Sequence, residues 1–203
     1  MSLEVSPLLA YDTKSTLAAA KDLHARAGRR NLLIKIPGTR EGLPAIEEAT
    51  FAGVPVNVTL LFSREQYLAA ADAWLRGVER RIAAGLDPCV GSVASVFISR
   101  WDVAVAGRVP EALTNRLGIA IAGRIHAAYR TTLASARWQR ALNMGARPQR
   151  LLWASTSTKN ESRRRVPPTA MEPCSPQSTW AHSPGAKANF RNASRRAGRT
   201  LAT

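Results

Sequence analysis

The chain has no apolar run approaching the roughly eighteen residues that a membrane-crossing helix needs, and it has little cysteine, only Cys89 and Cys174. The first absence argues against a membrane-spanning helix. The second argues against a disulfide framework or a thiolate metal centre, because two cysteines in dissimilar contexts offer no metal-ligand spacing. The opening MSLEVSPLLAYD lacks a basic region followed by an apolar core, so the chain reads as soluble and cytoplasmic, without a signal peptide. Acidic residues are also scarce, 14 against 29 Lys and Arg, for a net charge of +15.

That excess invites a nucleic-acid or anion hypothesis, but its placement counts more than its size. Residues 1–160 hold 21 basic and 12 acidic side chains, whereas 161–203 hold 8 basic and 2 acidic. The final segment, ESRRRVPPTAMEPCSPQSTWAHSPGAKANFRNASRRAGRTLAT, is rich in Pro, Ser, Ala and Arg and shows neither helical nor strand periodicity. The expected organisation is therefore one ordered domain over 1–160 and a disordered basic tail over 161–203.

Within 1–160, short apolar runs alternate with helical patterns. Strands are expected at Ser2–Val5, Asn31–Ile36, Val54–Leu61, Ser92–Ile98 and Arg150–Ser155. Between them, Asp12 or Thr13 caps a helix that ends at Gly28, a short helix covers Gly42–Ala52, and Ser63-Arg-Glu-Gln66 has the form of a capping box for a helix running to about Ala84. Helical patterns then fill Asp102–Val109 and Glu111–Met144, with breaks near Pro110 and before Arg137. Such alternation is that of βα units around a parallel sheet, whose functional residues gather at the carboxyl ends of the strands. Glu4, Lys35, Asn57, Thr59, Ser95 and Ser155 all fall on or at the end of an expected strand. Asn57 and Thr59, two apart, share a face. At 203 residues the chain is shorter than the roughly 250 of a complete (β/α)8 barrel.

Lys35 stands out in Asn31-Leu-Leu-Ile-Lys-Ile-Pro37, where its immediate neighbours are apolar. A lysine deprived of water is driven toward a neutral, nucleophilic amine, the state that Schiff-base chemistry uses. The plainer alternative is a strand-end lysine that snorkels to solvent.

Four stretches then carry a resemblance: SLEVSPLLAYDT, LLIKIPGTREGLPAIEEATFAGVPVNVTLLFS, SVASVFISRWD and RPQRLLWASTSTKN. Over about residues 2–160 the chain resembles the bacterial transaldolases. The second stretch is the most specific, with its lysine strand, Thr-x-x-Gly loop and Asn-x-Thr-Leu-x-Phe-Ser strand. The resemblance implies a TIM-barrel α/β fold, here incomplete with about five βα units. It also implies an enzyme of the pentose phosphate pathway, acting on sugar phosphates without metal or cofactor. Lys35 would form the Schiff base, Glu4 and Thr59 would place a catalytic water, and Asn57 and Ser95 would bind the dihydroxyacetone unit. Arg100 and Ser155 would bind phosphate, and Lys159 stands loosely where the family has a second arginine. Each has a plainer alternative: Glu4 solvated, Thr59 and Ser95 ordinary strand residues, Arg100 a helix cap.

The resemblance also implies two βα units ahead of Ser2 that supply the family's principal acid/base aspartate and a substrate-binding asparagine. Neither has a counterpart in these residues, and Asp12 matches another position. The change of composition after Asn160 reads as a divergent or frame-shifted end. On that reading imine formation survives while turnover falls by about 10²–10⁴, the usual cost of a lost acid/base. Two alternatives stay open. One is a class I aldolase of the same fold, which releases its product to water. The other is a non-catalytic anion-binding remnant using Arg163–Arg165 and Arg195–Arg199 with Trp180 and Phe190, although no nucleic-acid module is recognisable.

Overall fold

Five short runs, four of them mainly apolar, form the strands β1 (Ser2–Glu4), β2 (Leu33–Pro37), β3 (Val56–Leu61), β4 (Ser92–Phe97) and β5 (Arg150–Ala154). They make one parallel sheet in the order β1-β2-β3-β4-β5, each strand beside its neighbour in sequence. The computed structural model describes residues 1–156, which belong to one compact unit, Met1–Arg163. The basic tail, Lys159 and Cys174 lie outside the described residues.

The connections are helical: α1 (Thr13–Ala27), α2 (Gly42–Phe51), α3 (Arg64–Ala83), α4 (Ser99–Ala104), α5 (Leu117–Ala134) and α6 (Ala136–Asn143). The α/β architecture is thus the expected one, five strands of the kind that build a (β/α)8 barrel. One region differs. The helix expected over 102–109 starts earlier, at Ser99, and stops at Ala104, and the chain soon turns at Gly107 with φ +71°. The later break falls at Ser135, whose hydroxyl accepts from Trp138 N and caps α6.

Side-chain alternation gives the sheet two unlike faces. Ile34, Ile36, Val56, Val58, Ala94 and Val96 are fully buried and join Ile46, Trp74, Val78, Ile125 and Trp138 of the helices in the core. Burying each Ile or Val side chain contributes about 1.5–3 kcal/mol before entropy is charged against it. The alternate positions carry Lys35, Asn57, Thr59 and Ser95, so the face away from the helices is the polar one. A bulge between Val58 and Leu61 interrupts the alternation in β3, where Leu60 adopts φ +60°. It returns Leu61 to the core and sets Phe62 against Phe97, ring centroids 5.4 Å apart.

Helix ends are chemically marked. Asp12 accepts from Ser15 N at 3.0 Å and from Ser15 Oγ at 2.6 Å, and Gly28 closes α1 with φ +56°. Ser63 Oγ accepts from Gln66 N at 3.2 Å, while Gln66 Oε1 reaches one residue further back and accepts from Phe62 N at 2.8 Å. Ser63→Ala is expected to cost about 1 kcal/mol, read as a lower urea midpoint. These hydrogen bonds from Ser15 hold the Asp12 carboxyl below its ordinary value of 3.8. A lowered carboxylate stabilises the fold at pH above that ordinary value, and the contribution is lost as pH falls through the folded-state value. The stability difference between wild type and Asp12→Asn, followed by urea unfolding, should accordingly shrink as the solution is taken from about pH 5 to pH 2.

The outer helices are tied by ion pairs. Arg80 joins Glu47 and Glu48 of α2 at 3.2 and 2.5 Å, Arg76 meets Glu47 at 2.6 Å and also Asp72, and Arg137 of α6 meets Glu79 at 2.7 Å and Asp72 at 2.5 Å. The Glu79 and Asp72 carboxylates push the Arg137 guanidinium further up from its ordinary value. All these side chains are partly solvated, so each pair adds at most about 1 kcal/mol and chiefly orients the helices.

Candidate active site

Parallel register assembles the first group. Glu4 of β1 lies opposite Lys35 of β2, and Lys35 lies opposite Asn57 of β3, so one row of the polar face carries all three. Lys35 Nζ donates to Glu4 Oε2 at 3.4 Å, with side-chain exposures of 28% and 52%. The sealed apolar setting expected from the sequence is therefore corrected. Its apolar sequence neighbours, Ile34 and Ile36, point into the opposite core, and the amine itself is half-buried beside a carboxylate.

Asn57 is buried and hydrogen-bonded at both ends of its amide. Its Oδ1 accepts from Ser95 Oγ at 2.7 Å and its Nδ2 donates to Ser2 Oγ at 3.1 Å. A hydroxyl-amide-hydroxyl chain thus crosses the polar face from β1 to β4. Ser2 was not among the residues read from the sequence, because an exposed serine near the chain start carries no signal of its own. Thr59 lies opposite Pro37, is 1% exposed, and its buried hydroxyl has no hydrogen-bond partner among the described residues. An unmatched buried hydroxyl costs about 1–3 kcal/mol, so Thr59 is a natural place for a water or a substrate oxygen.

A second group gathers at the carboxyl ends of β4 and β5. Ser155, at φ +53°, follows β5, and its Oγ lies 2.9 Å from Ser99 Oγ. Ser99 N also donates to Ser155 O at 2.8 Å. Arg100 comes next on α4 and is exposed. The sequence pointed to Ser155 and Arg100 but not to Ser99, which sits between two more conspicuous neighbours.

A groove of about 380 Å³ lies elsewhere, between α3, α5 and α6, and is lined by residues such as Leu68, Leu75, Ala128 and Arg137. It contains none of the site residues. Within the described residues no group of three His, Cys, Asp or Glu side chains is placed to hold a metal ion, and no helix is long and apolar enough to cross a membrane.

A lysine and a glutamate in register, beside an Asn-x-Thr strand on the same face, form a constellation that can be compared with known families. The profile described as Transaldolase/Fructose-6-phosphate aldolase matches residues 1–172. The chain belongs to this family. A transaldolase of Thermobifida fusca is 48% identical over 168 residues, covering 79% of this chain and 46% of the relative. One from Acidothermus cellulolyticus is 49% identical over 170 residues, covering 80% and 45%, and one from Parafrankia sp. is 46% identical over 168 residues, covering 79% and 46%. The chain spans about half the length of the curated relatives it matches. The transaldolase-family match runs to residue 172, past Asn160, where the composition changes. Both polar groups fall inside it.

Proposed function

We propose that the chain is a transaldolase-type transferase, moving a dihydroxyacetone unit from a ketose phosphate to an aldose phosphate through a Schiff base on Lys35, in the cytoplasmic pentose phosphate pathway. The observation that carries this reading is the pair Lys35 and Glu4, 3.4 Å apart on one face of the sheet, with the unpartnered Thr59 hydroxyl on the same face.

The chemistry follows from these residues. Lys35 must first give up a proton, and Glu4 is placed to take it directly or through a water. The free amine adds to the ketose carbonyl, the carbonyl oxygen is protonated, and loss of water leaves an iminium. Removing the proton of the C4 hydroxyl then breaks the C3–C4 bond. An aldose phosphate departs, and the bonding pair passes into the iminium to give an enamine. The enamine adds to the acceptor aldehyde, and hydrolysis frees Lys35. Glu4 and Thr59 position the water that shuttles these protons. Asn57 and Ser95, already bonded to each other, present the second Nδ2 hydrogen of Asn57 and the lone pairs of Ser95 to the dihydroxyacetone hydroxyls. Arg100 and Ser155 supply a cation and a hydroxyl for the phosphate. Lys159 is proposed as a second cation for it. No metal or cofactor is required.

A second reading, a Schiff-base aldolase, shares every step up to the enamine and differs in releasing the three-carbon unit to water. A chase experiment separates them: load the protein with fructose 6-phosphate, remove free sugar, then add borohydride with or without an aldose phosphate acceptor. The transferase reading expects the trapped adduct to disappear only when acceptor precedes borohydride. Equal loss without acceptor, with free dihydroxyacetone in solution, would make it an aldolase.

A further inference from the structure

The Ser99 hydroxyl has no part in the imine chemistry, yet it is buried, 4% exposed, and aimed at the exposed Ser155. Ser155 is also one of three non-glycine residues at positive φ among those described. A left-handed conformation costs a residue with a Cβ on the order of 1–2 kcal/mol and persists only where neighbours over-determine it. Ser99 provides that determination twice. Its N–H donates to Ser155 O at 2.8 Å and its Oγ lies 2.9 Å from Ser155 Oγ. Both bonds run from the residue just before Arg100 to the residue just after β5.

We infer that Ser99 is a positioning residue that sets the donor direction of the Ser155 hydroxyl, and with it the preference of the site for phosphorylated over unphosphorylated sugars. Two hydroxyls at this distance share one proton between them, in either sense. When Ser99 donates, the Ser155 proton is left free to point outward. When Ser155 donates, that proton is consumed and only lone pairs face the ligand. A phosphate oxygen requires donors, so an arriving anion selects the first arrangement. The chain Ser99 O–H to Ser155 O–H to phosphate is then a run of aligned donors in which each bond polarises the next. Ser99 also fixes the backbone on which Ser155 sits, while Arg100 follows directly along α4. The inference rests on the proposed sugar-phosphate reading and adds to it a residue outside the lysine group.

The test compares trapping by two donors on the full chain. Half-saturating concentrations for borohydride-dependent adduct formation are measured with fructose 6-phosphate and with unphosphorylated dihydroxyacetone, for wild type, Ser99→Ala and Ser99→Thr. Ser99→Ala is expected to raise the value for fructose 6-phosphate up to roughly tenfold, the scale of one lost neutral hydrogen bond, and to leave the value for dihydroxyacetone unchanged. Ser99→Thr, which keeps the hydroxyl, should recover most of the difference. The dihydroxyacetone arm doubles as the check that the variant folds and that Lys35 reacts. An unchanged fructose 6-phosphate value in Ser99→Ala overturns the inference, as does a parallel loss with both donors. If wild type traps neither donor, the Schiff-base reading fails. Ser99 is then tested by titration with inorganic phosphate, where equal binding to wild type and Ser99→Ala overturns it and weaker binding to Ser99→Ala supports it.

Discussion

Lys35→Ala is expected to fold normally and to lose all imine-dependent reaction. The fold should survive because Lys35 contributes little to the core: its side chain is 28% exposed and pairs with the half-exposed Glu4, while the adjacent Ile34 and Ile36 are fully buried on the other face. The chemistry should not survive, since the covalent step has no other nucleophile in the row of Glu4, Lys35 and Asn57. Single-turnover release of the aldose phosphate from fructose 6-phosphate should drop by roughly 10⁴ or more. Lys35→Arg should be equally inactive although it keeps the charge beside Glu4, because a guanidinium stays protonated and cannot attack a carbonyl. Glu4→Gln, which preserves shape and removes the proton acceptor, should fall between, at about 10²–10⁴ below wild type. Residual activity in Lys35→Arg close to that of wild type would show that the cation, and not the nucleophile, is what the site uses.

The second large effect concerns the turn that follows the lysine strand. Gly42 opens α2 directly against the end of β2, and a Cβ placed there would sit 2.0 Å from Pro37 O and 2.9 Å from Thr39 Oγ1. The same corner is fastened by Gly42 N donating to Thr39 Oγ1 at 3.0 Å, Thr39 Oγ1 donating to Ala10 O at 2.6 Å, and Thr13 Oγ1 donating to Glu41 O at 2.6 Å. The nearest atom is Pro37 backbone, and the Thr39 side chain is itself held by hydrogen bonds to Gly42 N and Ala10 O, so little is free to yield. Gly42→Ala should therefore destabilise by about 3 kcal/mol or more, at the upper end of overpacking costs. Gly123 of α5 provides the contrast, having no atom within 4 Å of its added Cβ. Gly123→Ala should be neutral or stabilising by up to about 1 kcal/mol. Urea unfolding of the two variants beside wild type reads both signs, and a mild effect at Gly42 would mean that the Pro37–Gly42 turn can shift without penalty.

Much of the lysine row was legible because Lys35, Asn57 and Thr59 sit at strand positions whose direction alternation fixes, whereas Arg100 lies on α4 and Ser155 follows β5. The run from Asn31 to Pro37 showed a lysine in a strand, and Asn57 with Thr59 declared a shared face by their spacing. Helix ends were equally plain where a side chain caps the start, as at Asp12 and Ser63, or where a left-handed glycine closes the end, as at Gly28. What local pattern could not show is which face meets water. The apolar neighbours of Lys35 implied a sealed amine, whereas those neighbours belong to the far side of the sheet. Leu60 gave no warning of a left-handed bulge, since leucine is an ordinary strand residue and the cause lies in the register against β4. Ser2 and Ser99 were invisible for a related reason: their partners, Asn57 and Ser155, are each more than fifty residues away. The start of α4 was placed late because no side chain marks it: Ile98 precedes Ser99 without a capping hydrogen bond.

Borohydride trapping with fructose 6-phosphate, followed by intact and peptide mass spectrometry, tests whether Lys35 forms the imine. The Schiff-base account predicts a single reduced three-carbon adduct on the peptide containing Lys35, absent without borohydride and absent from Lys35→Ala. An adduct spread over several surface lysines, or none in folded protein, would contradict it.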